Sequence, residues 1–432
     1  MRWDAYHQLK PAYDRRWEKA ELAAFSRYCP FSPAAANEDE IAAVRFAAAE
    51  IDHPLLGRFA RAYVGHVTEE PYRARGSSGG MVSWVAAELL ARGLVDGVAH
   101  VAPQSPDTGN GYFAYRISRS VDAVRAGAKS RYHPIHLAEV LREIRTVPGR
   151  YAVVGIPCFI KAVHLLRAQD PLLNERIVHT LGLFCGHMKS ARFVESFAWQ
   201  LGVSSDTVAA VDYRLKDPAR PANWYRAHLT LDDGSSRGED WWHLADGDWG
   251  AGFFQNSACD MCDDVVAETA DVAFGDAWVE PYSSDGRGTN VVIVRSPEIL
   301  ALIERGIAGQ RLALQPVDAD FVVRTQEAGL RHRREGLAYR LTWRRRGIRP
   351  RKRVRPGTAG LTRRRRLVYR MRAAIARWSH RLAWLADRLR RPRLYIGWAK
   401  ASLGLYRALT YSHGRLGRLL DRWEARSIGI KR

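Results

Sequence analysis

YAVVGIPCFIKAVHLLRAQDPLLNERIVHTLGLFC, residues 151–185, decides the fold. YAVVGIP is a short apolar run rich in β-branched residues and reads as a buried strand. FIKAVHLLRAQD follows with helical spacing of its apolar positions, and IVHTLGLFC reads as a second buried strand. Strand, helix, strand is the repeating unit of an α/β core. The pattern continues outward. Upstream, RGSSGGMVSWVAAELLARGLVDGVAHVAP gives a Gly/Ser turn, a helix, a break at Gly93 and a strand. FAYRISRS is a further strand, AGAKSRYHP a polar loop, and HLAEVLREIRTV a helix stopped by Pro148–Gly149. Downstream, SARFVESFAWQLG reads as a helix and YRAHLTLDDGSSRGEDWWHL as polar strands turning at Gly234. AETADVAFGDAW and GTNVVIVRS are short strands, and PEILALIERGIAGQRL is a helix with a Pro start. The expected fold class is α/β (α+β), a mixed-sheet core with helices on its faces. Residues 1–70 form a polar, helical segment broken at Pro30, Pro33 and Pro54. The core then divides into 71–170 and 171–341, and 342–432 is a basic helical tail.

Two cysteines of the five end strands of this core: Cys158 after YAVVGIP and Cys185 after the next strand. Strand ends are where open α/β sheets gather ligands. Taken singly, each is more often a small buried hydrophobe. Cys259 and Cys262 form a CxxC, whose spacing turns two thiolates toward one ion. That pair reads as a zinc half-site, an iron–sulfur half-site or a redox dithiol. The Trp/Gly/Phe-rich loop before it suits a thioredoxin-type dithiol less well. Cys29, in RYCPFSP, has no assigned role.

Ser77, Ser78, Gly79 and Gly80 precede a helix, where small residues let backbone amides approach a phosphate. The segment lacks the spacing of a dinucleotide fingerprint or a P-loop, so a plain helix cap is as good a reading. Lys129, Ser130 and Arg131 suit an anionic cofactor or an ordinary solvated loop. Asp271 and Asp276 lie at a strand end beside Trp278, chemistry that holds sugar hydroxyls or simply caps a turn. His187 and Lys189, in CGHMKS, are candidate proton donors. His332 in RHRRE reads as structural. No Ser–His–Asp, HExxH or paired-carboxylate pattern stands out.

The net charge of +21 is concentrated at one end. From Leu341 to Arg432 there are 28 Lys plus Arg and 3 Asp plus Glu, against 39 and 43 in the other 340 residues. The overall basicity therefore describes the tail. LVYRMRAAIARWSHRLAWLADRLRR is amphipathic, with Trp, Leu and Tyr on one side and Arg on the other. It reads as a solvated helix packed on the body, as an adsorber to an anionic membrane surface, or as a nucleic-acid binder. The interleaved Trp and Leu favour the membrane, or an acidic partner protein, over nucleic acid, for which no module is visible. No run is long enough to span a bilayer, and the N-terminus has no secretory apolar stretch. A reducing cytosolic location, peripheral at the inner membrane face, is expected.

GSSGGMVSWVAAELLARGLVDGV, GAKSRY, YAVVGIPCFIKAV, LGLFCGHMKS, ACDMCDDVVAETADVAFGDAW and GTNVVIVR, in this order, resemble the coenzyme F420 hydrogenase/dehydrogenase beta-subunit family. The resemblance covers about Arg75 to Leu341. It implies an iron–sulfur flavoprotein passing electrons between a hydride donor or acceptor, FAD and a [4Fe–4S] cluster, with coenzyme F420 as a candidate substrate. Carried over by motif, Cys158, Cys185, Cys259 and Cys262 are the cluster ligands. Ser77, Ser78, Gly79, Gly80, Lys129, Ser130 and Arg131 are FAD contacts, and Asp276 joins the cofactor set. The partner is a redox protein or a small hydride donor. Many relatives carry an upstream CxxCxxC block that this chain lacks, so a second cluster is not expected. The tail resembles homologues linked to surface polysaccharide synthesis. A zinc- or cluster-stabilised accessory protein without redox activity is the alternative.

Overall fold

The protein, described by a computed structural model over residues 1–12, 19–105, 111–344 and 349–427, is built on an eight-stranded mixed sheet. In chain order its strands are β1 (Arg61–Val67), β2 (Gly97–Pro103), β3 (Phe113–Ser118), β4 (Tyr151–Gly155), β5 (Ile177–Leu183), β6 (Val272–Asp276), β7 (Asn290–Val294) and β8 (Leu312–Val317). Across the sheet they run β8–β1–β7–β6–β5–β4–β2–β3. The middle pairs β2–β4, β4–β5 and β5–β6 are parallel, and the outer pairs are antiparallel. The helices that bear on the site are α1 (Glu38–Arg45), α2 (Met81–Ala91), α3 (Pro157–Arg167), α4 (Arg192–Gln200), α5 (Pro297–Ala308), α6 (Glu327–Arg333), α7 (Glu335–Leu341), α8 (Arg363–Arg388), α9 (Pro392–Tyr411) and α10 (Gly414–Ser427).

The stretch 151–185 folds as read. β4 and β5 pair in parallel, with Val153 opposite Thr180, across the crossover helix α3. Continuous apolar strands need cover on both faces, and the sheet has it. On one face, Trp84 and Leu89 of α2 and Leu302 and Ile303 of α5 pack on Val98, Val154, Leu181, Val272 and Val292. On the other, Ile160 and Val163 of α3 cover Ala273, Tyr151, Val153 and Ile177. An antiparallel three-stranded sheet (Val208–Leu215, Arg226–Leu231, Ser236–Asp240) stands apart, with Tyr213 and Leu229 packed on Phe193 and Phe197 of α4.

Two regions differ from the sequence reading. The first 75 residues contain helices Lys19–Tyr28 and α1, but also β1 and two short hairpins, Arg2–Trp3 with Leu9–Lys10 and Ile51–His53 with Gly57–Phe59. β1 lies inside the main sheet. Its Gly65, at φ +152°, leaves no room for a Cβ, which would stand 1.9 Å from the Ala313 carbonyl oxygen of β8.

The tail also differs. Val368, Ile375 and Ala383 of α8 and Tyr395, Leu403 and Tyr406 of α9 lie in the same core cluster as α4 and the small sheet. The Phe254 amide donates to Ser379 Oγ at 2.8 Å, and Tyr395 Oη donates to Asp246 Oδ2 at 2.8 Å. Much of the apolar stripe is thus interior to the fold, which favours the packed-helix reading. The linker before α8 is anchored as well. Lys352 Nζ pairs with Asp263 at 2.9 Å, and Arg353 forks onto Glu268 at 2.6 and 2.8 Å, all buried. Residues 345–348 of that linker lie outside the described residues. Among the described residues no helix is long and apolar enough to cross a membrane.

Candidate functional site

Parallel strands end on the same rim of a sheet, and β4, β5 and β6 bring three candidate segments together there. Cys158 is the second residue of α3, directly beyond β4, after the N-terminal Pro157. Cys185 follows β5, its amide donating to the Val265 carbonyl at 2.9 Å. Cys259 lies in a 3₁₀ turn, Ser257–Met261, with Cys262 just after it. The Met188 amide donates to Cys259 Sγ at 3.3 Å, and Cys262 Sγ donates to the Asp264 carbonyl at 3.4 Å. The four thiols are close enough to act on one another electrostatically. No three of their sulfurs lie mutually within 4.8 Å. A single tetrahedral zinc would set sulfur–sulfur edges of about 3.8 Å, closer than this. Cys29 is not part of this set and remains without a role.

Arg333, at the end of α6, completes the pocket. Its guanidinium is buried and donates to the carbonyl oxygens of Cys259 and Gly186. No carboxylate pairs with it among the described residues. Burial pushes its pKa down, whereas negative charge on Cys262, Cys259, Cys185 and Cys158, when they are deprotonated, pushes it up. Burial pushes the Cys262 thiol up to about 11 despite Arg333. A lone buried cation is costly without an anion. Four thiolates on an inorganic cluster would supply that anion, so the residues present fit such a group.

Beside this pocket opens a cavity of about 1220 Å³. That exceeds what one drug-sized ligand fills, leaving space for a dinucleotide and a second small molecule. Ser77, Ser78, Gly80, Lys129, Ser130, Arg131, Cys185, His187, Lys189 and Asp276 all line it. The Ser/Gly turn and the cationic loop meet directly, the Ser130 amide donating to Ser77 Oγ at 2.8 Å. Gly80, at φ +87°, precedes α2 without a side-chain cap, and Asn290 Oδ1 accepts from the Met81 amide at 3.1 Å. Val82 and Ser83, in the first turn of α2, face the cavity too.

Some expected roles are modified. Gly79 does not line the cavity; a Cβ there would lie 2.8 Å from the Gly65 carbonyl oxygen, so it serves packing. Lys129 Nζ is bound to Asp212 at 2.8 Å. Asp276 takes both prongs of Arg214, at 3.0 and 3.3 Å, rather than an open hydroxyl partner. Asp271 is held by Arg45 at 2.8 Å and by Thr180, and is structural. Of the four pocket thiols only Cys185 reaches the cavity wall.

His187 stacks on Trp249 with ring centroids 4.2 Å apart, and its Nε2 is buried without a partner. Burial, with Lys189 and two arginines, pushes its pKa well down, so it stays a neutral imidazole. Lys189 Nζ donates to the Phe253 carbonyl at 2.6 Å and lies over the Trp249 ring. Burial lowers its pKa to about 7, which lets it gain or lose a proton near neutrality. The unfolded chain holds this proton up to about pH 10.4, the folded chain only to about 7. Between those values the unfolded state binds more protons, so stability rises with pH by up to ~5 kcal/mol, and below 7 the effect is constant. Lys189→Met is expected to flatten this rise, as read by chemical denaturation between pH 7 and 10.

Sequence reasoning missed Arg333, Arg214, Trp249 and Lys216. Lys216 ties the carbonyls of Arg73, Ser78 and Arg287 together at 2.6, 2.7 and 2.6 Å and so shapes the Ser/Gly turn. Its neighbour Arg214 carries a signal only in three dimensions, lying over Tyr225 at 4.2 Å.

Residues 62–142 match the family described as coenzyme F420 hydrogenase/dehydrogenase, beta subunit N-term, and residues 149–320 match its C terminus. Among solved structures, the chain is similar to one in the F420-reducing [NiFe] hydrogenase complex from Methanosarcina barkeri, studied by xenon derivatization. The TM-score is 0.51 at 15% identity, covering 67% of this chain and 94% of that one, a likeness of fold. No curated protein matches. The chain belongs to the coenzyme F420 hydrogenase/dehydrogenase beta-subunit family, and its function is of the oxidoreductase type.

Proposed function

We propose that the protein is an iron–sulfur flavoprotein oxidoreductase holding FAD in the 1220 Å³ cavity and one [4Fe–4S] cluster on Cys158, Cys185, Cys259 and Cys262. The observation that carries this reading is Arg333, a buried guanidinium set among those four sulfurs with no carboxylate partner among the described residues. Bound together, the two groups would convert a two-electron hydride into single electrons. The chain's own contribution is positional. Ser77, Ser78, Gly80, Ser130 and Arg131 bind at one wall. Cys185 borders both spaces and is the shortest protein link between them. Neutral His187 orients by hydrogen bonding, and Lys189 holds or releases a proton at Nζ. Coenzyme F420 or another hydride carrier, and a redox partner protein, are the proposed exchange partners. The test is the visible spectrum and metal content of anaerobically purified protein. Flavin absorbance with a broad iron–sulfur shoulder and about four irons per chain is expected. A colourless protein with one zinc would instead favour a non-catalytic accessory role.

Adsorption to an anionic membrane surface at the cytoplasmic face remains a further part of the proposal. It rests on the outward side of α8, where Leu367, Trp378 and Leu385 are exposed among Arg370, Arg377 and Arg381. Flotation with vesicles containing phosphatidylglycerol, but not with phosphatidylcholine alone, is the expected result.

A further inference from the structure

The same cavity is walled on one side by residues beyond the family match, which ends at residue 320. Arg407 and Tyr411 of α9 and the following His413 line it together with Trp249 and Gly250. Their placement is specified closely. The Tyr406 and Tyr411 rings meet edge-on at 6.0 Å. Both hydroxyls crowd Gly250, where a Cβ would stand 2.9 and 3.1 Å from them. Arg407 Nε pairs with Asp248 Oδ2 at 3.5 Å, while its Nη2 is buried and without a partner. Arg372, on α8, has no hydrogen-bond or ion-pair partner among the described residues, and its Nε is buried. Its charge reaches His187, Lys189 and Tyr411. Two carboxylates lie nearby. Asp246 is consumed by Ser196, Gln200 and Tyr395, and Asp248 caps the Ala251 amide besides meeting Arg407. The corner therefore carries more positive charge than its carboxylates offset, and a guanidinium on the cavity wall whose donors are not all used.

We propose that the C-terminal helices build an anion-recognition corner of this cavity, in which Arg407 takes a phosphate or carboxylate group of the small molecule that exchanges electrons there. This rests on the oxidoreductase reading and names the substrate class. A planar guanidinium with donors to spare matches an oxyanion better than a single ammonium does. The tail is then a specificity element as well as a structural one.

The test is calorimetric titration of the full-length, cofactor-loaded protein with inorganic phosphate and, separately, citrate. Saturable binding is expected for the wild type, at least about tenfold weaker in Arg407→Leu, and partly kept in Arg407→Lys. Arg393→Ala, an exposed arginine at the start of α9, should bind as the wild type does. The stronger of the two probes identifies phosphate or carboxylate as the recognised group. Unchanged binding in Arg407→Leu, no binding by the wild type, or loss of flavin from the folded Arg407→Lys variant would each overturn the proposal. Flavin and iron are assayed on the same samples. Their absence would sink the flavoprotein reading while leaving the anion titration interpretable.

Discussion

Cys262→Ser is expected to reduce bound iron from about four atoms per chain to less than one, with the iron–sulfur absorbance lost and the flavin kept. The proposed flavin contacts lie at the start of α2 and in the Ser130 loop, away from Cys262, which does not line the cavity, so the two groups should separate in this variant. Stability should fall with the iron. Arg333 would remain buried against backbone carbonyls alone, and an uncompensated buried charge costs about 3–5 kcal/mol. Adding Arg333→Met to the Cys262→Ser background should recover part of that loss, a coupling measurable by a double-mutant cycle in anaerobic thermal unfolding. Retention of full iron content by Cys262→Ser would sink the ligand assignment.

The second large effect concerns the tail. Truncation after Leu341 is expected to give insoluble or molten protein rather than a trimmed soluble core. It removes Val368, Ile375, Ala383, Tyr395, Leu403, Tyr406 and Leu409 from one hydrophobic cluster, and strips Tyr395 from the buried Asp246. Large-to-small changes at single sites of this kind cost about 2–5 kcal/mol each, so their sum exceeds the ~5–15 kcal/mol that holds a domain together. Removal of α10 alone should cost far less, because it exposes Leu416 and Leu419 already. Solubility on expression and circular dichroism of both truncations separate these outcomes. A stable, monomeric 1–341 fragment would contradict the packing described.

The α/β core was legible because its signals are local. Apolar runs such as YAVVG and NVVIV can only be strands covered on both faces, and the Pro157 and Pro297 starts mark their helices. β1 was not legible. Gly65 interrupts its pattern, and the reason for that glycine is the β8 carbonyl far along the chain. In the tail, amphipathicity was correctly seen, but the occupant of the apolar face is tertiary information. A stripe of Tyr, Leu and Ile looks the same whether lipid or a Trp-rich loop covers it. Cys158 and Cys185 were legible from their positions after successive parallel strands, whereas the place of Cys259 and Cys262 in the fold was not. Arg333 was hidden in RHRRE, since nothing in a basic run tells which arginine turns inward.

Lys352 and Arg353 clip the C-terminal segment onto Asp263 and Glu268, in the stretch that follows Cys262. A ribosome that has just released the CxxC has yet to make this clasp. Until it emerges, the buried carboxylates Asp263 and Glu268 lack the cations that offset their charge. This corner of the fold is accordingly expected to close only after the linker has been synthesised.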